Sequence, residues 1–385
     1  MNQHTSFFEA SAFLLPFEGR EHILELYLDG IPPSLLTVPR PVASATAFLE
    51  HLNLCSQDEY RVLASGLIEA WGMSSDENHE GLLSVLRLSG EADPERLALP
   101  AECLALDLLT RNRELFESAI TFDQVKKCDA LELFKPARPV TLVADLDAAM
   151  NRFRSEIAAR CHQKYGSRRI LLRRFATSPV FMVGFFFEKS PKTLRVLDGT
   201  ETEPNLGRNE LRPTQFDAVL FEPSTGILSV RSGWGRLTDP IRRAFAAAFL
   251  NDPNAYEWEG ATDILNLVPL VDLHEELEDV DGGYPIISEL EYTIPNDPQE
   301  ARYRVNAKDM RRVIDRDNAS DRVAIANINR VVVKMALANA VRRRRVALKF
   351  PNRIEFKRGS ETSMILSLLH DWGVFHAPMP PDIAA

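Results

Sequence analysis

The stretch RVALKFPNRIEFK, residues 345–357, alternates apolar and charged side chains across a turn-forming pair. Val346, Leu348, Phe350, Ile354 and Phe356 hold the even positions, while Arg345, Lys349, Arg353, Glu355 and Lys357 hold odd ones around Pro351-Asn352. A period of two is that of a β-strand, whose successive side chains point to opposite faces, and Pro-Asn supplies turn chemistry. The stretch predicts a hairpin that buries one face and presents a mostly basic one. With helical segments elsewhere in the chain, the fold class expected is α+β.

Working back from the hairpin, Val323–Val341 is ambiguous. Its β-branched residues favour a strand, and its length with the Ala/Asn/Met mix favours a helix. Ala301–Val305 reads as a strand and Lys308–Arg316 as a short helix. Downstream, Ser360 is expected to cap a closing helix with Met364, Ile365, Leu368, Leu369 and Trp372 on its apolar side. In the middle of the chain, Leu146, Met150, Phe153, Ile157 and Cys161 recur at helical spacing up to Gly166. Strand-like segments follow at Arg169–Phe175, Val180–Glu188, Thr193–Leu197 and Phe216–Arg231, the last a hairpin through Pro223-Ser224-Thr225. Thr238-Asp239-Pro240 then opens the helix Ile241–Leu250.

The first 135 residues read as mostly helical, at Ala47–Leu54, Glu59–Trp71, His79–Leu88 and Ala101–Ile120, with His22–Leu28 a possible strand. Lys135–Pro139 is the best linker candidate. Four segments result: an acidic helical domain at 1–135, a central mixed β-sheet domain with flanking helices at 140–255, an acidic connector at 256–300, and a small basic α+β domain at 301–385. Phe accounts for 21 residues and is expected in the core.

Charge is sorted along the same plan. Residues 1–135 carry 22 acids against 10 bases, and residues 150–250 carry 9 acids against 17 bases. Residues 251–300 have 14 acids and no Lys or Arg, and residues 301–385 have 17 bases against 8 acids. The formal −10 of the whole chain therefore conceals two basic and two acidic regions, and local fields, rather than net charge, select partners. From Lys334 to Arg358 there are nine bases and one acid. Arg and Lys on the outward face of a ribbon suit phosphates, with affinity supplied by counterion release. Lys334, Arg342, Arg343, Arg344, Arg345, Lys349, Arg353, Lys357 and Arg358 are the candidate nucleic-acid-binding residues. Two competing readings remain open, in which the basic strip meets the acidic 251–300 segment of the same chain or an acidic protein partner.

The central segment resembles the layout of PD-(D/E)xK nucleases over about 95 residues. A helix bears Glu156, a strand opens with Asp217, and a hairpin ends at Ser229-Val230-Arg231 before another helix. The resemblance implies Mg²⁺ held by paired carboxylates, which activate water and offset charge on the scissile phosphate. Here Ser229 stands where the second carboxylate belongs, and Arg231 replaces the lysine. Glu156 and Asp217 are thus the catalytic candidates of an alternative reading only.

Other chemistry lacks its usual motifs. No GxSxG, HExxH, GxxxxGK[ST] or GxGxxG string occurs, and Cys55, Cys103, Cys128 and Cys161 form no CxxC pair. Cys161-His162 point about 100° apart on a helix, which is poor geometry for a dyad. Trp234 reads as a core or stacking residue. No apolar run approaches the roughly 20 residues of a membrane span, and the N-terminus lacks signal-peptide features. The sequence leads us to expect a non-catalytic, nucleic-acid-associated component of a bacterial cytoplasmic multiprotein system, such as a defence or DNA-transaction complex. No cofactor is expected, with Mg²⁺ implied only under the nuclease alternative. The acidic N-terminal domain would face another protein subunit. A nuclease or its degenerate relative, and a pure protein-interaction scaffold, are the alternatives.

Overall fold

The computed structural model describes residues 9–177, 180–199, 204–233, 237–272, 277–278, 285–293, 302–310, 327–337, 343–358 and 361–376. The chain divides into two compact units, residues 1–124 and 125–385. Among the described residues no helix is long and apolar enough to cross a membrane.

The first unit is built from helices: α1 (Ala10–Leu14), α2 (Glu21–Asp29), α3 (Ala45–Leu54), α4 (Gln57–Trp71), α5 (Asp76–Ser89), α6 (Pro94–Leu97), α7 (Ala101–Arg111) and α8 (Arg113–Lys126). Ser44, Ser56 and Ser75 cap α3, α4 and α5 by accepting from the backbone N–H three residues on, which satisfies donors that the helix itself leaves open. The segment His22–Leu28 lies within α2 and is not a strand. Ile23, Leu24, Tyr27 and Leu28 are its buried residues, a spacing that fits 3.6 residues per turn. The long helical reading of Ala101–Ile120 resolves into α7 and α8. Asn112 separates them, and its side chain accepts from Leu115 N–H at 3.1 Å to start α8.

The second unit is organised by one ten-stranded antiparallel sheet. Its strands are β1 (Ala130–Phe134), β2 (Ile170–Thr177), β3 (Val180–Glu188), β6 (Thr214–Phe221), β7 (Leu228–Arg231), β8 (Ile286–Thr293), β9 (Arg302–Asn306), β10 (Asn327–Met335), β11 (Arg344–Lys349) and β12 (Arg353–Phe356). They lie in the order β2-β3-β6-β7-β1-β12-β11-β10-β8-β9, and β4 (Lys192–Gly199) pairs with β5 (Pro204–Leu211) in a separate ribbon. The architecture is α+β, with 12 α-helices and one large antiparallel sheet among the described residues.

The central strands and the C-terminal strands belong to one sheet, because β1 joins them. It pairs with β7 on one side and β12 on the other. The Pro-rich run after β1 is held in place: Lys135 N–H donates to Ala261 O and Ala137 N–H to Ala255 O. Helices α9 (Leu146–Tyr165) and α10 (Thr238–Phe249) pack over the β3–β6–β7 end. Phe153, Phe181, Phe221 and Phe249 each have ring centroids 4.8–6.5 Å from that of Phe245, so the expected phenylalanine core is real. Among the described residues the remaining helices are α11 (Pro269–Asp272) and α12 (Thr362–Asp371).

The segment read as an acidic connector holds β8, which pairs with β10 inside the sheet. Residues 323–341 supply strand β10 at 327–335. The helix read at Lys308–Arg316 falls mostly outside the described residues, as do Trp234, Ser360 and most of the acidic run 272–281.

Candidate nucleic-acid interface

Strands β11 and β12 form the hairpin around Pro351-Asn352. Its buried side is continuous with the neighbouring strand: Leu348 pairs with Val331 and Ile354, and Val346 with Val333 and Phe356, all buried. Phe350 departs from the alternation. It sits at the tip and is 48% exposed, because the turn at Pro351 ends the pleat before the ring can face the core.

The opposite side is a charged grid that local sequence does not reveal. Across β1-β12-β11-β10-β8-β9 the register aligns Glu132, Arg353, Lys349, Arg330, Glu291 and Arg304 in one row. The next row is Ala130, Glu355, Ala347, Val332, Glu289 and Asn306. Beyond it Arg345 stands opposite Lys334. Three cations, Arg353, Lys349 and Arg330, are therefore immediate cross-strand neighbours in the middle of the row.

Three acids from other parts of the chain, together with Glu355 of β12 itself, temper this face. Arg353 Nε donates to Glu355 at 2.6 Å and its Nη1 to Glu132 at 3.4 Å. Glu289 accepts from Arg330 and lies 2.9 Å from Arg304, and Glu291 lies 3.2 Å from Arg302. Part of the acidic segment thus meets part of the basic segment inside the sheet. Arg344 is tied to Glu361. Arg358 is not on this surface: it is buried, with its guanidinium 5.4 Å from the centre of the Phe356 ring. Arg342 lies outside the described residues. Arg345, Lys349 and Lys357 are exposed, and among the described residues none of the three has an ion pair. Lys334 is half-buried and Arg343 exposed, with Arg343 Nη1 donating to Lys334 O at 3.4 Å.

A groove of about 390 Å³ opens beside the hairpin tip, lined by Asn266, Thr293, Asn327, Asn329, Phe350 and His376 among others. Asn329 Nδ2 is buried there without a hydrogen-bond partner among the described residues. The groove therefore presents an exposed ring one residue from Lys349.

The carboxylates of the nuclease-like layout are not brought together. Asp217 is fully buried and accepts from Gly233 N–H at 2.7 Å, from Gln215 Nε2 at 3.2 Å and from Ser232 Oγ at 3.4 Å. Arg231 Nη1 lies 3.7 Å away. Burial outweighs these favourable partners and pushes the Asp217 carboxyl up to about 6. Glu156 is exposed on α9, bonded to Arg160 at 3.2 Å, and lines a separate groove with Arg152 and Arg243. Ser229 is buried, and its Oγ has no hydrogen-bond partner among the described residues. A lone buried carboxylate with no second acid brought beside it does not fit Mg²⁺, which takes several oxygen ligands in near-octahedral geometry. Cys161 completes the apolar face of α9, with burial pushing its thiol up to about 11.

Among the described residues one cluster of potential metal donors was missed by the sequence reading: His51, Cys55 and Glu59 in the helical unit. Their shared spacing of four residues is its signal.

No protein-family model matches this chain, and no curated protein is similar to it by sequence. The chemistry therefore rests on the residues themselves.

Proposed function

We propose that this chain is a non-catalytic, nucleic-acid-associated component of a multiprotein system and that it holds phosphates on the open face of its large sheet. The observation that carries this reading is the juxtaposition of Arg353, Lys349 and Arg330, with Arg345 opposite Lys334 alongside. Like charges directly opposite on a sheet repel, and an anion lying over them relieves that repulsion. Strands are about 4.8 Å apart, so adjacent cations can share one phosphate. Arg345, Lys349 and Lys357 are the principal phosphate-binding residues. Arg343 and Lys334 flank them, while Arg353 and Arg344 are partly spent on their own carboxylates. Phe350 and the groove beside it offer an unpaired base a stacking surface. The acidic helical unit is repelled by phosphate and faces a protein subunit. The free cysteines fit a reducing bacterial cytoplasm.

The test is fluorescence anisotropy with labelled single- and double-stranded DNA and RNA over a salt series. The combined substitution Arg345→Ala, Lys349→Ala and Lys357→Ala should lower the log–log salt slope by about 0.7–0.9 for each phosphate the protein no longer neutralises. A slope equal to that of the wild type would remove the reading.

A second reading is favoured by the acids within the grid. Glu132, Glu355, Glu289 and Glu291 give the face a mixed pattern, which suits an acidic protein partner whose carboxylates pair with the open cations. It is distinguished by retention of an acidic protein from the native host in the absence of any measurable nucleic-acid affinity.

A further inference from the structure

Helix α3 ends at Leu54 and α4 begins at Gln57, with Ser56 as its cap. The corner between them places His51, in the last turn of α3, beside Cys55 in the junction and Glu59 in the first turn of α4. One donor atom from each side chain lies within 4.8 Å of the other two. His51 Nε2 and Glu59 Oε1 are 3.0 Å apart.

We propose that His51, Cys55 and Glu59 form a three-ligand Zn²⁺ site with an open fourth position. A tetrahedral centre with Zn–N and Zn–O near 2.1 Å and Zn–S near 2.3 Å holds its donors about 3.3–3.6 Å apart. The His51–Glu59 pair is already within a few tenths of an ångström of that spacing. Cys55 is half-buried at the junction, its Sγ within 4.8 Å of the other two donors and donating to Leu52 O at 3.5 Å, a contact that metal binding would replace. The nitrogen, sulfur and carboxylate mixture selects zinc over the hard cations, which take oxygen alone.

The surroundings are those of a positioned ligand. Glu59 is 4% exposed, and Thr37 donates to it twice, from the backbone N–H at 2.6 Å and from Oγ1 at 2.7 Å. Outer hydrogen bonds of this kind fix the orientation of a ligating carboxylate. The remaining three cysteines are buried, so Cys55 is the thiol that a metal reaches from solvent. Three protein donors leave one place in a tetrahedral shell, which water would fill.

The experiment is a titration of the intact chain with Co²⁺ and then Zn²⁺. One equivalent of Co²⁺ should bind with a thiolate-to-metal charge-transfer band and tetrahedral d–d absorption, and Zn²⁺ should displace it. Cys55→Ser should abolish the charge-transfer band and weaken Zn²⁺ binding by at least about 10-fold, and Thr37→Ala should weaken it by about 10-fold. Cys128→Ser should change neither. Zn²⁺ should also slow alkylation of Cys55 in the wild-type chain, a readout that stands even where Cys55→Ser fails to fold. Co²⁺ binding without a thiolate band overturns the proposal. So does unchanged Zn²⁺ affinity in a folded Cys55→Ser chain, or alkylation indifferent to Zn²⁺.

Discussion

Arg345 of β11 stands directly opposite Lys334 of β10, two cations facing each other with no acid between them in the register. Such a pair costs the fold some fraction of about 1 kcal/mol, so it is a place where stability and polyanion binding pull in opposite directions. Lys334→Glu should convert the pair to an attractive one and raise unfolding free energy by about 0.5 kcal/mol in urea titrations. The same substitution should weaken nucleic-acid binding and flatten its salt dependence. A variant that is more stable and binds equally well would show that this corner of the sheet does not meet the polyanion.

Arg353 and Lys349 are neighbours in the same row, yet their substitution should separate cleanly. Lys349 is exposed and without an ion pair among the described residues, so Lys349→Ala should act on binding and leave stability within about 0.5 kcal/mol. Arg353→Ala instead deprives Glu132 of its counter-charge. Burial already raises the Glu132 carboxyl above its usual range, and Arg353 is the leading influence pulling it down. Because the folded-state value is raised, charging Glu132 costs stability above that value, and the cost disappears as the carboxyl is protonated in acid. Arg353→Ala should therefore be less stable than the wild type by about 1–2 kcal/mol at neutral pH, with the gap narrowing as pH falls into the carboxylate range. Parallel stability curves from neutral pH into that range would contradict this account.

The hairpin was legible in the sequence because its alternation is complete within 13 residues, and α9, β3, β6, β7 and α10 are likewise carried by local spacing. The grid was not legible, because register joins residues far apart: Glu132 to Arg353, and Glu289 to Val332. In β8 the acids Glu289 and Glu291 masked a strand whose Ile287 and Leu290 are buried. Counting bases from Lys334 to Arg358 overstated the open charge for the same reason. It could not show that Arg358 turns inward or that acids from β1, β8 and the start of α12 approach the strip. The donor cluster at His51, Cys55 and Glu59 escaped because the helix break at Cys55-Ser56 interrupts the periodic pattern that would have drawn attention to the spacing.

Asp217 supplies a prediction with a defined pH window. Its carboxyl is pushed up to about 6 in the fold by burial, against about 3.9 in an unfolded chain. The folded state holds the proton more tightly, so the penalty is absent below about pH 4. It grows as pH rises and reaches about 3 kcal/mol above pH 6. Asp217→Asn keeps an oxygen to accept from Gly233 N–H at 2.7 Å and removes the ionisation. Relative to the wild type, its unfolding free energy should rise between about pH 4 and pH 7 and then level off. A difference that does not vary over that window would place the ionised carboxylate in a better-solvated setting than its burial indicates.

Gly226 closes the β6–β7 turn at φ +73°, a left-handed conformation that costs a residue with a Cβ roughly 1–2 kcal/mol. The space around it is also filled. A Cβ there would lie 2.8 Å from Pro136 Cγ and 3.0 Å from Val140 Cγ2, within the strap that follows β1. The Gly226 carbonyl accepts from the buried Tyr256 hydroxyl at 2.8 Å, so the turn has little freedom to move away. Gly226→Ala should then lose about 2–3 kcal/mol, the backbone strain and the clash both contributing. The two parts can be separated. Gly226→Asn eases the strain, because Asn tolerates the left-handed region, but it leaves the clash. Adding Pro136→Ala to Gly226→Ala eases the clash and leaves the strain. If the strap fills the turn, the Pro136–Gly226 double-mutant cycle should show a coupling of about 1 kcal/mol in unfolding experiments. A coupling near zero would mean that backbone conformation alone requires the glycine.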